Sequence, residues 1–389
     1  MEIYPASRVH YVGVQDPDIT LFEGQYPVPQ GVSYNSYVLM DDYICVFDSV
    51  DARKTDAWLE NLEDVLHGAS PDYLMISHME PDHAGSLAAF AKKYPETTFL
   101  GSAKALTMCK QFFPYLQNPT QVVKEPISLG HVTLHFLPAP MVHWPEVVMT
   151  YVPEEQLLFS ADAFGKFGTI DGELTDPGNW LPEARRYFIN IVGKYGLQVQ
   201  NVLKKAGAFE LKTICPLHGP VLTGDLAPYL ELYDIWSSYR PETRGVCIAV
   251  ASIYGHTAEA ARYVETCLRA VGEDVVYLDL DTCDKAEAVA QAFRMDRLVL
   301  CASSYDGGVF PPMEEFLLHL RAKNFQNRAV FLVENGTWAP SAAKTMHTYL
   351  DNMKNLTMSE TTVTIKSAVH NDDLPKLRAL ADAVHAYEA

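Results

Sequence analysis

YLMISHMEPDHAGS, residues 73–86, sets a short apolar run directly against four side chains of metal-ligand type, His78, Glu80, Asp82 and His83. The run reads as a buried strand, and a helix is expected to open near Ala84. A strand-to-helix turn gathers His78-x-Glu80-x-Asp82-His83 at one sheet edge. A solvated charge cluster has no reason to follow a buried strand, whereas a metal site needs converging donors of this kind.

Outward from this segment the first part of the chain keeps the same character. Short β-type runs at 33–40, 43–50, 132–139, 146–152 and 156–162 are separated by turn residues, which indicates an α+β domain built largely on sheets. Within 131–136, alternation places Val132, Leu134 and Phe136 on one face and His131, Thr133 and His135 on the other. After the polar stretch WSSYRPETR (236–244) the rhythm becomes strand, helix, strand, helix. The expected domains are therefore 1–242 and 246–389. Nearly continuous apolar runs at 246–252, 274–280, 297–303, 329–334 and 362–366 indicate a parallel sheet buried on both faces. Amphipathic stretches at 257–272 and 310–322 supply helices, giving a doubly wound α/β unit of five strands.

Composition narrows the chemistry. A formal charge of -19 argues against a polyanionic partner such as nucleic acid. Seven cysteines with no C-x-x-C pair suit a reducing compartment and leave electrons to arrive from a separate partner. No run approaches the roughly 18 apolar residues of a membrane span, and no signal-peptide pattern opens the chain, so a cytoplasmic location is expected.

Three more donors follow apolar runs: His143 in PAPMVHWPE, Asp162 in LLFSADAFG and His218 in ICPLHGP. Read in order, H-x-E-x-D-H, H-W-P, a lone Asp after F-S-A, and L-H-G resemble the flavodiiron proteins over essentially the whole chain. The resemblance implies an αββα metallo-β-lactamase-like sandwich followed by a flavodoxin-like domain. It also implies that His78, Glu80 and His143 bind one iron, that Asp82, His83 and His218 bind the other, and that Asp162 bridges them. Hydrolases of the related architecture resemble H-x-H-x-D-H. Glu80 in place of that second His gives an anionic donor suited to a harder, redox-active metal. Tyr26, Trp144 and Phe164 are candidates for an apolar wall, or else ordinary core. His10, His67, His131, His135, His319, His347, His370 and His385 are left outside the site.

In the second domain Ser252-Ile253-Tyr254-Gly255-His256-Thr257 leads from a strand into a helix, and such a turn can cradle one phosphate. It resembles the phosphate loop of flavodoxins, which implies FMN and the 2-1-3-4-5 strand order. Two further loops, Ser303-Ser304-Tyr305-Asp306-Gly307-Gly308 and Glu334-Asn335-Gly336-Thr337-Trp338-Ala339, are placed at the flavin ring. Trp338 either covers that ring or anchors the following helix in the core. The first of these loops departs from the Pro-Thr and paired Asn of many family members, and Asp306 there would disfavour a negatively charged reduced ring.

The resemblance implies reduction of O2 to water, of NO to N2O, or both, at a di-iron centre fed by FMN. It further implies a rubredoxin-like donor, or its reductase, and a head-to-tail homodimer. Two other classes of function stay open on sequence: a zinc hydrolase with a flavodoxin-like appendage, and a flavin electron carrier with a structural metal domain.

Overall fold

Alternating and continuous apolar runs pair into three main sheets in the computed structural model, which describes residues 2–3 and 6–388, with side chains from Arg8 onward. The chain forms two units, Met1–Asp234 and Ile235–Ala389. In the first, a seven-stranded mixed sheet runs in the order Glu2–Ile3, Ala6–Tyr11, Tyr37–Leu39, Cys45–Phe47, Tyr73–Met75, Thr98–Gly101, Thr120–Val122. A six-stranded sheet runs Ile127–Ser128, Thr133–Pro138, Val148–Val152, Leu157–Phe159, Thr213–Cys215, Leu222–Thr223.

The inner faces of these sheets share one core. Phe47 of the first stacks on Phe159 of the second with ring centroids 3.7 Å apart, among Leu39, Met75, Leu134 and Val152. Truncating either ring would cost about 3–5 kcal/mol. Val132 and Leu134 are buried and Phe136 packs on the same cluster, so the alternation at 131–136 sets the face that is seen. Helix Thr55–Leu66 buries Trp58, Leu62 and Leu66 at four-residue spacing, and Trp58 packs against Phe90 of helix Leu87–Lys93. The architecture is the αββα sandwich.

Strand ends position the donors. Cys45–Phe47 and Tyr73–Met75 run parallel and finish level, Phe47 opposite Met75, as do Leu157–Phe159 and Thr213–Cys215, with Phe159 opposite Cys215. His78, Asp162 and His218 each stand three residues beyond Met75, Phe159 and Cys215. One expectation is corrected here. The helix after His78 does not open near Ala84 but spans Pro81–Ala84, with Glu80 at its N-cap. Proline is favoured at the first helical position because its missing N–H has no partner there anyway, and this puts Asp82 and His83 in the first turn.

The second unit is a parallel sheet in the order Val275–Asp279, Thr243–Ala251, Met295–Tyr305, Ala329–Asn335, Thr357–Ile365, the doubly wound 2-1-3-4-5 arrangement. Helices His256–Ala270 and Leu374–Ala386 cover one face with Val264, Leu268, Leu377 and Leu380. Helix Ala227–Ser237 carries the chain between the units. The buried Arg328 draws in the carbonyls of Tyr239 and Met295, at 2.7 and 2.6 Å, so the polar stretch after that helix is fastened to the second unit. Among the described residues no helix is long and apolar enough to cross a membrane.

Candidate metal centre

The seven donors meet at one end of the sandwich in two groups. Ligand atoms of His78, Glu80, His143 and Asp162 lie within 4.8 Å of one another, and so do those of Asp82, His83 and His218. Asp162 faces both. Its Oδ2 is 3.2 Å from His78 Nε2 and 3.1 Å from His143 Nε2, while Oδ1 is 3.1 Å from His83 Nε2 and 3.8 Å from His218 Nε2. Glu80 Oε2 closes the first group at 2.9 Å from His143 and 3.2 Å from His78, and Asp82 Oδ2 closes the second at 3.3 Å from His218 and 3.4 Å from His83.

The ring nitrogens turned away from this centre fix the tautomers. His218 Nδ1 is 2.7 Å from the Ser33 carbonyl oxygen, which can only accept, so Nδ1 carries the hydrogen and Nε2 presents a lone pair. His78 Nδ1 likewise donates to Glu146 Oε1 at 2.8 Å. Lone pairs and carboxylate oxygens then face one another in a largely buried space, with His78, His83, His143, Asp162 and His218 all buried. Both oxygens of Asp82 and of Asp162, both nitrogens of His83, and His218 Nε2 are buried without a hydrogen-bond partner. Unsatisfied polar atoms of this kind are costly, and a shared cation removes the cost. Three carboxylates and four imidazoles carry three negative charges, which fits a pair of divalent ions of the iron or manganese type.

The same field acts on protonation: a cation and a proton compete for the Nε2 lone pairs, and where no cation neutralises the carboxylates they draw protons onto the imidazoles. Burial works to depress the His78 imidazolium, yet Asp162, Glu146 and Glu80 hold its pKa well above the ordinary value. Burial opposes His143 too, but Asp162 and Glu80 raise it to about 9. In the other direction burial works to raise Asp162, and His78 and His83 hold it well below the usual carboxylate range.

Sequence reading did not find the supports or most of the wall. Asp48 Oδ1 accepts the amide hydrogens of Ser77 and His78 at 2.7 and 3.2 Å. Of the expected wall only Trp144 touches ligands, perpendicular to His78 at 5.2 Å. Phe164 stacks instead on Tyr233 at 4.0 Å, because the tight turn in which Gly165 donates to the Asp162 carbonyl at 3.0 Å carries its ring away. Tyr26 packs on Phe167 at 6.4 Å, one layer out. Rings from distant segments take those places: Phe22 and Tyr187 each lie 5.4 Å from His218, and Tyr34 lies 6.2 Å from it. No local pattern ties residues 22 and 187 to 218. A cleft of about 530 Å³, with Phe22, Glu23, Tyr34 and Arg53 in its lining, reaches Glu80 and Asp82.

The second unit holds a separate cavity of about 500 Å³ at the C-terminal ends of its strands. Every residue expected there lines it except Gly255, Gly308 and Glu334; Ser341 and Ser367 are added, and Lys and Arg are absent from the lining. Gly255 caps helix His256–Ala270 at φ 92°, a left-handed conformation that glycine adopts freely, and His256 and Thr257 of the first turn line the cavity. That arrangement fits one phosphate without a cation. The segment at 303–308 is not an open loop. Ser304 pairs with Val309 and Tyr305 with Gly308 across a two-residue turn, Asp306 at φ 48° and Gly307 at φ 73°, which is the Asp-Gly hairpin geometry. Several expected contacts are engaged within the protein: Ser303 with Thr257 at 2.8 Å, Ser304 with the amides of Ser341 and Ala342, and Asn335 with Ser367. Trp338 is 91% exposed and so is not a core anchor.

Comparison with known proteins agrees with this geometry. The family model described as ODP family beta lactamase matches residues 32–219, a span that includes all seven donors. The chain is 26% identical over 389 residues to the nitric oxide reductase of Moorella thermoacetica, covering 97% of this chain and 96% of that one. It is 27% identical over 385 residues to the rubredoxin-oxygen oxidoreductase of Megalodesulfovibrio gigas, covering 96% and 95%. The crystal structure of the flavodiiron protein from Giardia intestinalis superposes with a TM-score of 0.93 at 25% identity, covering 100% of this chain and 97% of that one.

Proposed function

We propose that this chain, which belongs to the flavodiiron protein family, is an oxidoreductase that reduces O2 to water, NO to N2O, or both. His78, Glu80 and His143 would hold one iron and Asp82, His83 and His218 the other, with Asp162 between them, while the cavity of the second unit would hold FMN. When bound, FMN passes on electrons and the iron pair supplies the positions at which a diatomic molecule is reduced. The observation that carries this reading is the division of Asp162, one oxygen 3.2 Å from His78 and the other 3.1 Å from His83.

The chain's own residues do the rest. Glu146 and Ser33 orient two of the imidazoles, and Trp144, Phe22 and Tyr187 pack against the rings of His78 and His218. The cleft beside Glu80 is open to a small gas. Glu80 weighs against the zinc-hydrolase alternative, and full-length likeness to two reductases weighs against both alternatives. A rubredoxin-type donor is supported by the name of one relative. A head-to-tail homodimer belongs to the same proposal, and so does a cytoplasmic location, which suits seven free cysteines.

The test is anaerobic reduction of the purified protein, with iron and FMN quantified, followed by rapid mixing with each gas. Two irons and one FMN per chain, reoxidised within turnover time by at least one gas, are expected. A colourless zinc protein that turns over without a reductant would overturn the proposal.

A further inference from the structure

We infer that the segment Ser33–Asn35 is a positioning clamp for His218, on which one of the two metal positions depends and the other does not. The inference rests on the two-metal reading above. Ser33 and Asn35 are fully buried and neither is a ligand. The Ser33 carbonyl oxygen accepts from His218 Nδ1 at 2.7 Å, and Ser33 Oγ accepts from the Gly219 amide at 2.6 Å. Asn35 Nδ2 donates to the carbonyls of Pro216 and Gly219 at 2.8 and 2.7 Å, and the Asn35 amide donates to the Leu217 carbonyl at 2.9 Å. The two carbonyls settle which end of the amide is which, since an oxygen could not face them, and Tyr11 OH then donates to Asn35 Oδ1 at 3.1 Å. Backbone on both sides of His218 is therefore tied to one short segment.

The turn needs such support. Gly219 sits at φ 76°, and a Cβ there would come 2.7 Å from Lys166 Cγ, so no side chain of its own can brace it. His78 is held by different groups, Glu146 and Asp48, which share no hydrogen bond with the clamp. Outer-shell partners of metal-binding histidines typically govern 10–100-fold in affinity. Loss of the clamp should then weaken the Asp82, His83, His218 position alone.

The test is Asn35→Asp, which keeps the side-chain volume but turns an acceptor toward two carbonyl oxygens, with Ser33→Ala as a milder change. Iron per chain, stepwise Fe(II) rebinding after chelation, FMN content and the iron EPR spectrum are measured on holoprotein. Asn35→Asp is expected to retain one iron and full FMN, to weaken the second equivalent about 10–100-fold, and to replace the spin-coupled signal by that of a mononuclear ion. Ser33→Ala should weaken the same equivalent less, and it decides the matter if Asn35→Asp does not fold. Two equivalents bound as in wild type, or both weakened together alongside the melting temperature, would overturn the clamp. A wild-type protein that binds fewer than two irons would sink the two-metal reading instead.

Discussion

Glu146 Oε1 lies 2.8 Å from His78 Nδ1 and 2.9 Å from the Met79 amide nitrogen, so a single buried carboxylate oxygen holds both the imidazole and the backbone beside it. Burial works to raise the Glu146 pKa, but His78 and the Met79 amide bring it below the ordinary value, and the group stays anionic. An anion at Nδ1 makes Nε2 a stronger donor. Glu146→Ala should lower metal affinity about 10–100-fold. Glu146→Gln, which keeps an acceptor but loses the charge, should cost less. Iron release to a chelator measures both, and equal release rates in wild type and Glu146→Ala would remove this role.

Glu80→His converts the motif to the hydrolase-like H-x-H-x-D-H pattern by exchanging an anionic oxygen for a neutral nitrogen. One negative charge leaves a site whose three carboxylates match two divalent ions, so Fe(III) loses more than Fe(II) and the metal preference moves toward zinc. Iron content and gas reduction should fall together while FMN content stays at wild type, since the flavin cavity belongs to the other unit. A variant that keeps two irons and full turnover would show that Glu80 does not select iron over zinc in this site.

The structure brings together all seven candidate donors: His78, Glu80, Asp82 and His83 were legible as one motif after an apolar run, His143, Asp162 and His218 only through a motif order that resembles a known family, and three of the seven stand at the same offset past paired strand ends. The parallel sheet was legible for a related reason: burial on both faces leaves unbroken apolar runs. Glu146 stands three residues after His143 in the same turn, and that spacing was the one signal for a support. Ser33, Asn35, Phe22 and Tyr187 carried no such signal, because only tertiary contact relates them to His218. The Asp306-Gly307 hairpin could have been read from the Asp-Gly pair between β-type residues.

Away from both cavities, Glu273 receives two hydrogen bonds from the buried Arg297, at 2.8 and 2.7 Å, and Arg297 also reaches the Val384 carbonyl in the last helix. Arg297 holds the Glu273 carboxyl below the ordinary value of 4.5. A carboxylate whose pKa is depressed by folding stabilises the fold above its unfolded pKa and loses that contribution as pH falls through the folded one. Glu273→Gln leaves Arg297 paired with Asp296 at 3.1 Å, so it should cost about 1.5 kcal/mol near pH 7, and the difference from wild type should shrink as pH drops below 4.5. Urea unfolding at a series of pH values checks this, and a gap that stays constant into acid would assign the loss to packing.

Asp306 is the one carboxylate in the lining of the flavin cavity, and it sits at a turn whose flanks are fixed. Ser304 Oγ accepts from the Ser341 amide at 2.9 Å, and Ser341 Oγ donates to the Gly308 carbonyl at 2.8 Å, so the hairpin cannot swing its tip away without breaking both. No Lys or Arg in the lining offsets the charge. A fixed negative charge beside the cofactor opposes the build-up of negative charge on the ring as it is reduced. Asp306→Asn removes that charge without disturbing the backbone, because Asn-Gly suits this turn at least as well as Asp-Gly. The FMN midpoint potential should rise, by up to about 60 mV if the reduced ring gains a factor of ten in a one-electron step, with FMN affinity retained. Redox titration of the flavin spectrum reads the shift directly, and iron content serves as the control. An unchanged potential would mean that solvent at the cavity mouth screens Asp306 completely, and the residue would then have no part in setting the electron supply.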